Sequence, residues 1–306
     1  MPKFSVIVPC YNAEKTIFGT LSSIQDQTFT DIEIICVDEG STDRIFVMLN
    51  DIARGDPGVK VVKNAGNGPS AARNLGVIHH AKGDLVAFCD ADDQWLPGKL
   101  AQLAGLFENT TIDGAYGQIG FFEREPHDAV AFSTVPQEAL TIDLLLGENP
   151  VCTMSNVALR RRIFLEGGGF DCSMVHNEDL EWLIRLVGEG ACIMGMPLLQ
   201  TWYRTSVGGL STDLTAMMAG RMRAVQSAAR YGVAPSGQSH AIFQRYLARR
   251  ALRVSAVRTE ALRHAVRGLW HSPIGFLLPL HRGALTFIGA LAVTALPRTL
   301  SRSLFS

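Results

Sequence analysis

The sequence predicts an α/β fold: a mostly parallel sheet with helices on both faces, followed by a C-terminal helical extension. Three observations predict it. Four strand signals, each followed by a helix signal, fill the first 120 residues. A polar or acidic cluster stands just past each of these strands. The 306 residues are 47% hydrophobic and 19% charged, which supplies a large core and excludes a disordered, collagen-like or disulfide-stapled chain.

The elements follow in order. Phe4–Val8 is a buried-strand run, and Ala13–Gln25 has helical periodicity. Ile32–Val37 is a second strand and Thr42–Ala53 a helix. Val59–Val62 is a short third strand, followed by a helix over Pro69–Ala81. Leu85–Cys89 is the fourth strand, and Pro97–Phe107 a helix with proline near its start. Repeated β-then-α units pack as a parallel sheet between helices, and such sheets bind ligands at the carboxyl ends of their strands. Residues 110–210 are less regular. They hold an aromatic stretch (Tyr116–Phe122), a surface loop (Glu123–Pro136) and a strand-like run (Val151–Leu159). A glycine turn, Gly167–Gly169, precedes Asn177-Glu178-Asp179, which opens a helix over Leu180–Leu186. Residues 216–269 read as Arg-rich helices. Residues 273–297 are apolar, interrupted by Pro273, Pro279, His281, Arg282 and Pro297.

Net charge is −1, but its distribution is lopsided. Residues 220–306 carry thirteen arginines, no lysine and one glutamate, whereas residues 1–219 hold 15 basic against 28 acidic residues. Such asymmetry suggests two tasks, an acidic body and a basic tail. The six cysteines form no C-x-x-C pair. Cys10, Cys36 and Cys89 lie in or beside apolar runs and read as reduced core residues of a cytosolic protein. Phe4–Pro9 already reads as strand, leaving no signal peptide before it. No uncharged apolar run reaches the roughly 18 residues of a membrane span.

The chemistry-bearing residues sit past the strands. Asp90-Ala91-Asp92-Asp93 places three carboxylates within four residues. Their mutual repulsion calls for a cation, and hard ions such as Mg²⁺ or Mn²⁺ take carboxylates together with substrate phosphates. A solvated acidic turn ahead of a helix is the alternative. Asp38-Glu39-Gly40-Ser41-Thr42-Asp43 is a second acidic tip. It suits base N–H and ribose hydroxyl groups, or serves as a glycine turn with a helix cap. Arg73 offers a bidentate fork for phosphate, or a surface ion pair. Glu178 and Asp179 stabilise a helix start, or one of them is a general base. There is no G-x-x-x-x-G-K-[ST] loop and no G-x-G-x-x-G after strand one, which argues against a P-loop NTPase and a dehydrogenase.

Together these blocks resemble the nucleotide-sugar glycosyltransferases of family 2, inverting enzymes with a Rossmann-like, GT-A type fold. The resemblance runs through about residues 3–210. Val6–Asn12 resembles the opening strand with its Pro-x-Tyr-Asn tip, and Val37–Asp43 the V-D-D-G-S-x-D tip. Asn67–Gly76 resembles the N-x-G-x-x-x-A-R-N-x-G helix, and Asp90–Asp93 the D-x-D motif. Gly169-Phe170-Asp171 with Glu178-Asp179 and Arg185-Leu186 resembles the acceptor block. The resemblance implies a glycosyltransferase domain over residues 1–215, with a nucleotide-binding half (1–110) and an acceptor half (111–215), ahead of a 216–306 extension. It implies nucleotide-sugar contacts from Pro9, Tyr11, Asn12, Asp38, Glu39, Asp43, Arg73, Asp90 and Ala91. Asp90 and Asp92, with Asp93 as a further ligand, would hold Mn²⁺ or Mg²⁺. Asp179 would be the catalytic base and Glu178 would position the acceptor. Glu39 stands where the family carries a second Asp, and Tyr203-Arg204 is followed by Thr205-Ser206 where a His is often found. The implied reaction is a single displacement from a UDP-sugar to a glycan or lipid-diphosphate-linked acceptor of a bacterial envelope polysaccharide.

Arg245, Arg249, Arg250, Arg253, Arg258, Arg263 and Arg267 alternate with apolar residues in the tail. A basic amphipathic helix reads as membrane-surface binding, strengthened by the apolar Ile274–Leu296. This predicts peripheral attachment to the cytoplasmic face of the inner membrane and no nucleic-acid partner; packing of the tail on the acidic body is the alternative. Two rival functions stay open at this point. A nucleotidyltransferase would need a Gly-rich basic loop after strand one, which Pro9–Glu14 lacks. A catalytically inactive nucleotide-sugar-binding or membrane scaffold would show no donor turnover.

Overall fold

A computed structural model describes residues 2–65, 68–205, 213–254, 257 and 259–295. Asn67, Ser206, Arg258, Leu296 and Pro297, which enter the sequence reading, lie outside the described residues.

The chain alternates β1 (Phe4–Cys10), α1 (Ile17–Gln25), β2 (Ile32–Asp38), α2 (Ile45–Gly55), β3 (Val59–Lys63) and α3 (Pro69–Leu75). α3 continues as a π turn, Gly76–His80, into β4 (Leu85–Phe88). β5 (Gln94–Trp95), α4 (Lys99–Leu106), β6 (Gly114–Phe122), β7 (Ala131–Phe132) and α5 (Ile142–Gly147) follow. A 3₁₀ turn at Met154–Asn156 leads into β8 (Val157–Arg160), α6 (Arg161–Glu166), α7 (Glu178–Gly188) and β9 (Ile193–Arg204). The helices α8 (Leu214–Arg230), α9 (Gly237–Val254), α10 (Glu260–His271), α11 (Pro273–Leu277) and α12 (Leu280–Ala295) complete it.

The sheet runs β3-β2-β1-β4-β8-β6-β9-β5, with β7 against β6. β1, β2, β3 and β4 are mutually parallel. β8 pairs antiparallel with β4 and β6, and β5 antiparallel with β9. The central strands β1 and β4 are nearly continuous apolar runs because helices cover both of their faces, whereas edge strand β3 exposes Lys60 and Lys63. β1 is entirely buried except Pro9. Strand order reverses between β1 and β4, so their carboxyl ends open a crevice.

The described residues form two compact units, 2–140 with 150–205, and 141–149 with 213–295. Where the sequence draws a boundary at residue 215, the second unit already contains Leu214 of α8 and takes in α5. The first unit's core joins β1, β2 and β4 to α1, α2 and α4 through Val6, Val8, Leu21, Leu49, Ala87 and Leu100. The second has its own core, with Leu247, Ala248, Ala265, Phe276 and Ala290. Arg245 is only 4% exposed there and donates to the carbonyls of Gly275, Phe276 and Leu278. Glu148 pairs with Arg245 and Arg282, each at 3.5 Å. Of the tail arginines assigned to a surface, Arg245 is therefore internal.

Several boundaries depart from the sequence reading for local reasons. α1 begins at Ile17 because the amides of Thr16 and Ile17 both close on the Ala13 carbonyl. α2 begins at Ile45 because Asp43 accepts from its amide and holds the preceding turn. The strand expected over Val151–Leu159 shortens to Val157–Arg160: the Thr153 hydroxyl accepts from the Ser155 amide and draws the preceding residues into the 3₁₀ turn.

Candidate active site

The tips of β1 and β2 are laced together. Cys10 lies in register with Asp38 at their ends. Asn12 adopts a positive φ of 48°, which Asn tolerates better than most residues. Its amide donates to Ser41 Oγ at 3.0 Å, and its Oδ1 accepts from the Thr42 amide at 2.8 Å. Asp38 is buried and accepts from the Ser41 amide at 3.2 Å, closing the turn at Gly40, whose φ is +76°. Beside them the Tyr11 ring is 64% exposed, available as a stacking surface. Glu39 turns toward β3, accepting from Asn64 Nδ2 at 2.7 Å. One oxygen of Asp43 accepts from the Glu14 amide and the other from the Ile45 amide, so its carboxylate organises the chain between the two tips.

The second cluster centres on Arg73. Pro69 starts α3 after Gly68 at φ +86° and brings Arg73 one turn in, buried to 4% exposure. Its Nη2 binds Asp90 Oδ1 at 2.6 Å, and its Nη1 lies 3.6 Å from Glu178 Oε1. The guanidinium carbon sits 5.6 Å from the Phe170 ring centre. Burial works against the charge, but Asp90, Glu178 and Asp179 outweigh it and raise the guanidinium above its ordinary value. Among the described residues its Nε and Nη1 have no hydrogen-bond partner. Buried donors left open in this way are costly, and they are suited to an incoming anion.

Glu178 and Asp179 occupy the first turn of α7, behind Asn177 in the left-handed conformation. Burial, then the charge of Asp179, pushes Glu178 up to about 7, with Arg73 pulling the other way. Burial also raises Asp179 above the ordinary carboxylate range, against the helix amides and Arg73. The acceptor block is fixed to α3 by a reciprocal pair. Asn74 Nδ2 donates to the Phe170 carbonyl at 2.9 Å and Asn74 Oδ1 accepts from the Phe170 amide at 2.8 Å. Arg185 donates to the carbonyl oxygens of Gly167 and Gly169 and to Glu181. Phe170 packs on Trp182 with ring centres 4.5 Å apart.

Past β4 the three aspartates diverge. Asp90 accepts from Arg73 and, at 3.3 Å, from Thr153 Oγ1, while its amide donates to Ser155 Oγ at 2.8 Å. Burial and the charge of Asp90 push Asp92 up to about 6. Ala91 between them is buried. Asp93 is fully buried, accepts from the Arg204 amide at 2.9 Å and so ties the turn to β9. Among the described residues no three His, Cys, Asp or Glu side chains group to hold a metal. What remains is a close carboxylate pair, Asp90 and Asp92, beside the open donors of Arg73. That set fits a hard cation that arrives with phosphate oxygens to complete its shell, not a protein cage.

Sequence reasoning missed the supports of this turn. Lys99 is fully buried, donating to the Ser155 carbonyl at 2.6 Å and Thr201 Oγ1 at 2.9 Å, with the Trp95 ring centre 4.4 Å away. Burial pushes its ammonium down to about 7. Trp95 Nε1 donates to the same Ser155 carbonyl. Arg204 donates to the Asp92 carbonyl at 3.2 Å and lies over the Phe122 ring. A lysine one residue after a glycine at a helix start carries no sequence signal of burial, and Thr153 and Ser155 were concealed in an apparent strand.

The Glycosyl transferase family 2 pattern matches residues 5–168. The chain is 30% identical over 217 residues to an uncharacterized glycosyltransferase of Haemophilus influenzae, covering 69% of this chain and 72% of that protein. It is 27% identical over 216 residues to WfaP of Escherichia coli, a UDP-Glc:alpha-D-GlcNAc-diphosphoundecaprenol beta-1,3-glucosyltransferase, covering 70% and 81%. Among solved structures it is similar to S. aureus TarS in complex with UDP, with a TM-score of 0.61 at 20% identity over 94% of this chain and 88% of that one. It is also similar to the mannosyltransferase PcManGT of Pyrobaculum calidifontis with GDP-Man and Mn²⁺, with a TM-score of 0.60 at 20% identity over 99% and 78%. These structural likenesses show the fold.

Proposed function

Because the chain belongs to glycosyl transferase family 2, we propose that it is an inverting enzyme that moves a sugar from UDP to a lipid-diphosphate-linked glycan in envelope polysaccharide synthesis. The observation that carries this reading is Arg73. A buried guanidinium with open N–H groups stands between Asp90 on the donor side and Glu178 with Asp179 on the acceptor side. The UDP-linked donor and undecaprenyl-diphosphate acceptor printed in the name of WfaP support the substrate classes.

In this mechanism the nucleoside lies across the β1 and β2 tips, with Tyr11 as a stacking face and Asp38 toward base or ribose. Arg73 and Asp90 orient the diphosphate and sugar. When bound, a divalent cation, Mn²⁺ or Mg²⁺, held by Asp90 and Asp92 with the diphosphate, supplies charge neutralisation for the leaving group. Asp179 takes the proton of the acceptor hydroxyl as that oxygen attacks the anomeric carbon from the face opposite the diphosphate. The bond to the diphosphate breaks with its electron pair leaving on the phosphate oxygen, so an α-linked donor yields a β-linkage. Glu178 positions the acceptor. The Arg-rich, apolar second unit supports peripheral attachment at the cytoplasmic membrane face, where such an acceptor lies.

Asp179→Asn tests the assignment in a UDP-sugar transfer assay. The expected result is a loss of about 10²-fold or more in kcat with UDP binding retained. Near wild-type turnover overturns the base.

A further inference from the structure

Helix α12 is built inside out for a helix facing water. Its buried face is Gly283, Thr286, Gly289 and Ala290. Its outward residues are the large ones: Leu285 is 64%, Ile288 59% and Leu291 44% exposed. A water-facing helix turns its bulky apolar side chains inward and its polar ones outward. No charged residue occurs from Gly283 to Ala295. The small inward face lets α12 approach α11 closely, since a Cβ on Gly283 would meet the Phe276 carbonyl oxygen and the Leu277 Cα at 2.3 and 2.4 Å. Within the same unit α10 packs against both helices. Its exposed stripe is Arg263, Val266, Arg267 and Trp270, at helical spacing, and Trp270 is 89% exposed. Ile274 in α11 and Leu280 at the start of α12, at 68% and 62%, continue the apolar exposure.

We propose that α10, α11 and α12 present a membrane-docking face that lays α12 in the headgroup boundary of an anionic bilayer. This deepens the peripheral-attachment reading above and rests on it for its biological setting. Charge selects the occupant. Residues 220–306 hold thirteen arginines and one glutamate, so a second copy would set positive charge against positive charge. A polynucleotide would answer the arginines but leave the Leu285–Ile288–Leu291 stripe in water. An anionic lipid surface answers both, with headgroups at Arg263 and Arg267 and acyl chains against the stripe. The 16 residues of α12 extend about 24 Å, short of the ~30 Å hydrocarbon core. No described helix is long and apolar enough to cross a membrane. The geometry therefore gives a helix lying in the interface plane.

Trp270 makes the full-length chain its own probe, because Trp95 and Trp182 are buried and Trp202 is half-buried. The protein is mixed with vesicles of phosphatidylglycerol and phosphatidylcholine, or of phosphatidylcholine alone. The expected result is co-sedimentation with the anionic vesicles, a blue shift of tryptophan emission and quenching by brominated lipid. Trp270→Phe should abolish the spectral change. Leu285→Asp with Ile288→Asp should weaken partition about tenfold or more, and added salt should weaken it further. Both side chains point outward, so the fold survives, which circular dichroism and unchanged UDP binding check. Equal partition into both vesicle types, partition without a Trp270 shift, or an unaffected double variant each overturns the proposal. A dimer in solution that the double variant dissociates, without vesicle binding, also overturns it and assigns the stripe to self-association. Vesicle binding needs no turnover, and Asp179→Asn should partition as the wild type does. Failure here is thereby separable from failure of the transferase reading.

Discussion

Arg73 is a buried charge offset by Asp90, Glu178 and Asp179, whereas Glu178 and Asp179 are raised by burial and held down by Arg73 and by backbone amides at the start of α7. Their pKa shifts have a kinetic consequence. A general base works only when deprotonated, and burial raises Asp179 above its ordinary 3.8 while Glu178 reaches about 7. As pH falls, these groups bind protons earlier than free carboxylates do. The acid limb of kcat should therefore lie above the ordinary carboxylate value of 3.8. A pH–rate profile that stays flat down to pH 4 would remove Asp179 as the base. At this scale the sequence was legible wherever chemistry recurs as a cluster. The sequence marks Asp38, Arg73, Asp90 and the Glu178–Asp179 pair, and the fold brings Asp90 and Glu178 to the Arg73 guanidinium. Asp93 and Asp43 accept backbone amides, a task that sequence alone does not separate from binding a ligand. Lys99 escaped because nothing adjacent to it in the chain announces its partners, Ser155 and Thr201, which lie 56 and 102 residues away.

At the level of elements, α3 is the part whose placement matters most, since it carries Arg73. Its π-turn continuation meets the sheet at Gly76, where a Cβ would stand 2.6 Å from Ile7 Cγ2. Gly76→Ala should cost about 1–3 kcal/mol, seen as a lower midpoint in urea, and should lower kcat/KM by displacing Arg73 from Asp90. A variant with unchanged stability and activity would show that the helix has room to give. β1 and β4 were readable because each is an almost wholly buried, apolar run. Helix starts were less so: the amides of Thr16 and Ile17 close a turn on Ala13, and Asp43 holds the entry to α2, so both helices begin three or four residues later than periodicity suggests. The mixed half of the sheet was not readable, since β8 is only four residues long and its antiparallel pairing depends on β4 and β6, distant in sequence.

For the whole molecule, one unit holds the sheet and every candidate catalytic residue, and the other holds a separate helical core. The charge asymmetry of the sequence, an acidic body and a basic tail, gives no sign that α5 belongs with the second unit. The described residues form no three-ligand cage, so cation and diphosphate should bind together. Chelation should abolish transfer, Mn²⁺ or Mg²⁺ should restore it, and UDP should raise the thermal midpoint markedly more with the ion than without it. Equal shifts in both conditions would dissociate the ion from the nucleotide. One last consequence comes from Arg73 touching both sides of the crevice. A diphosphate seated on its idle N–H groups draws positive charge toward the donor and loosens the grip on Glu178, so the two substrates cannot enter indifferently. Double-reciprocal plots should intersect, with UDP competing against the sugar nucleotide alone, the signature of a compulsory sequence in which the nucleotide is first to arrive and last to depart.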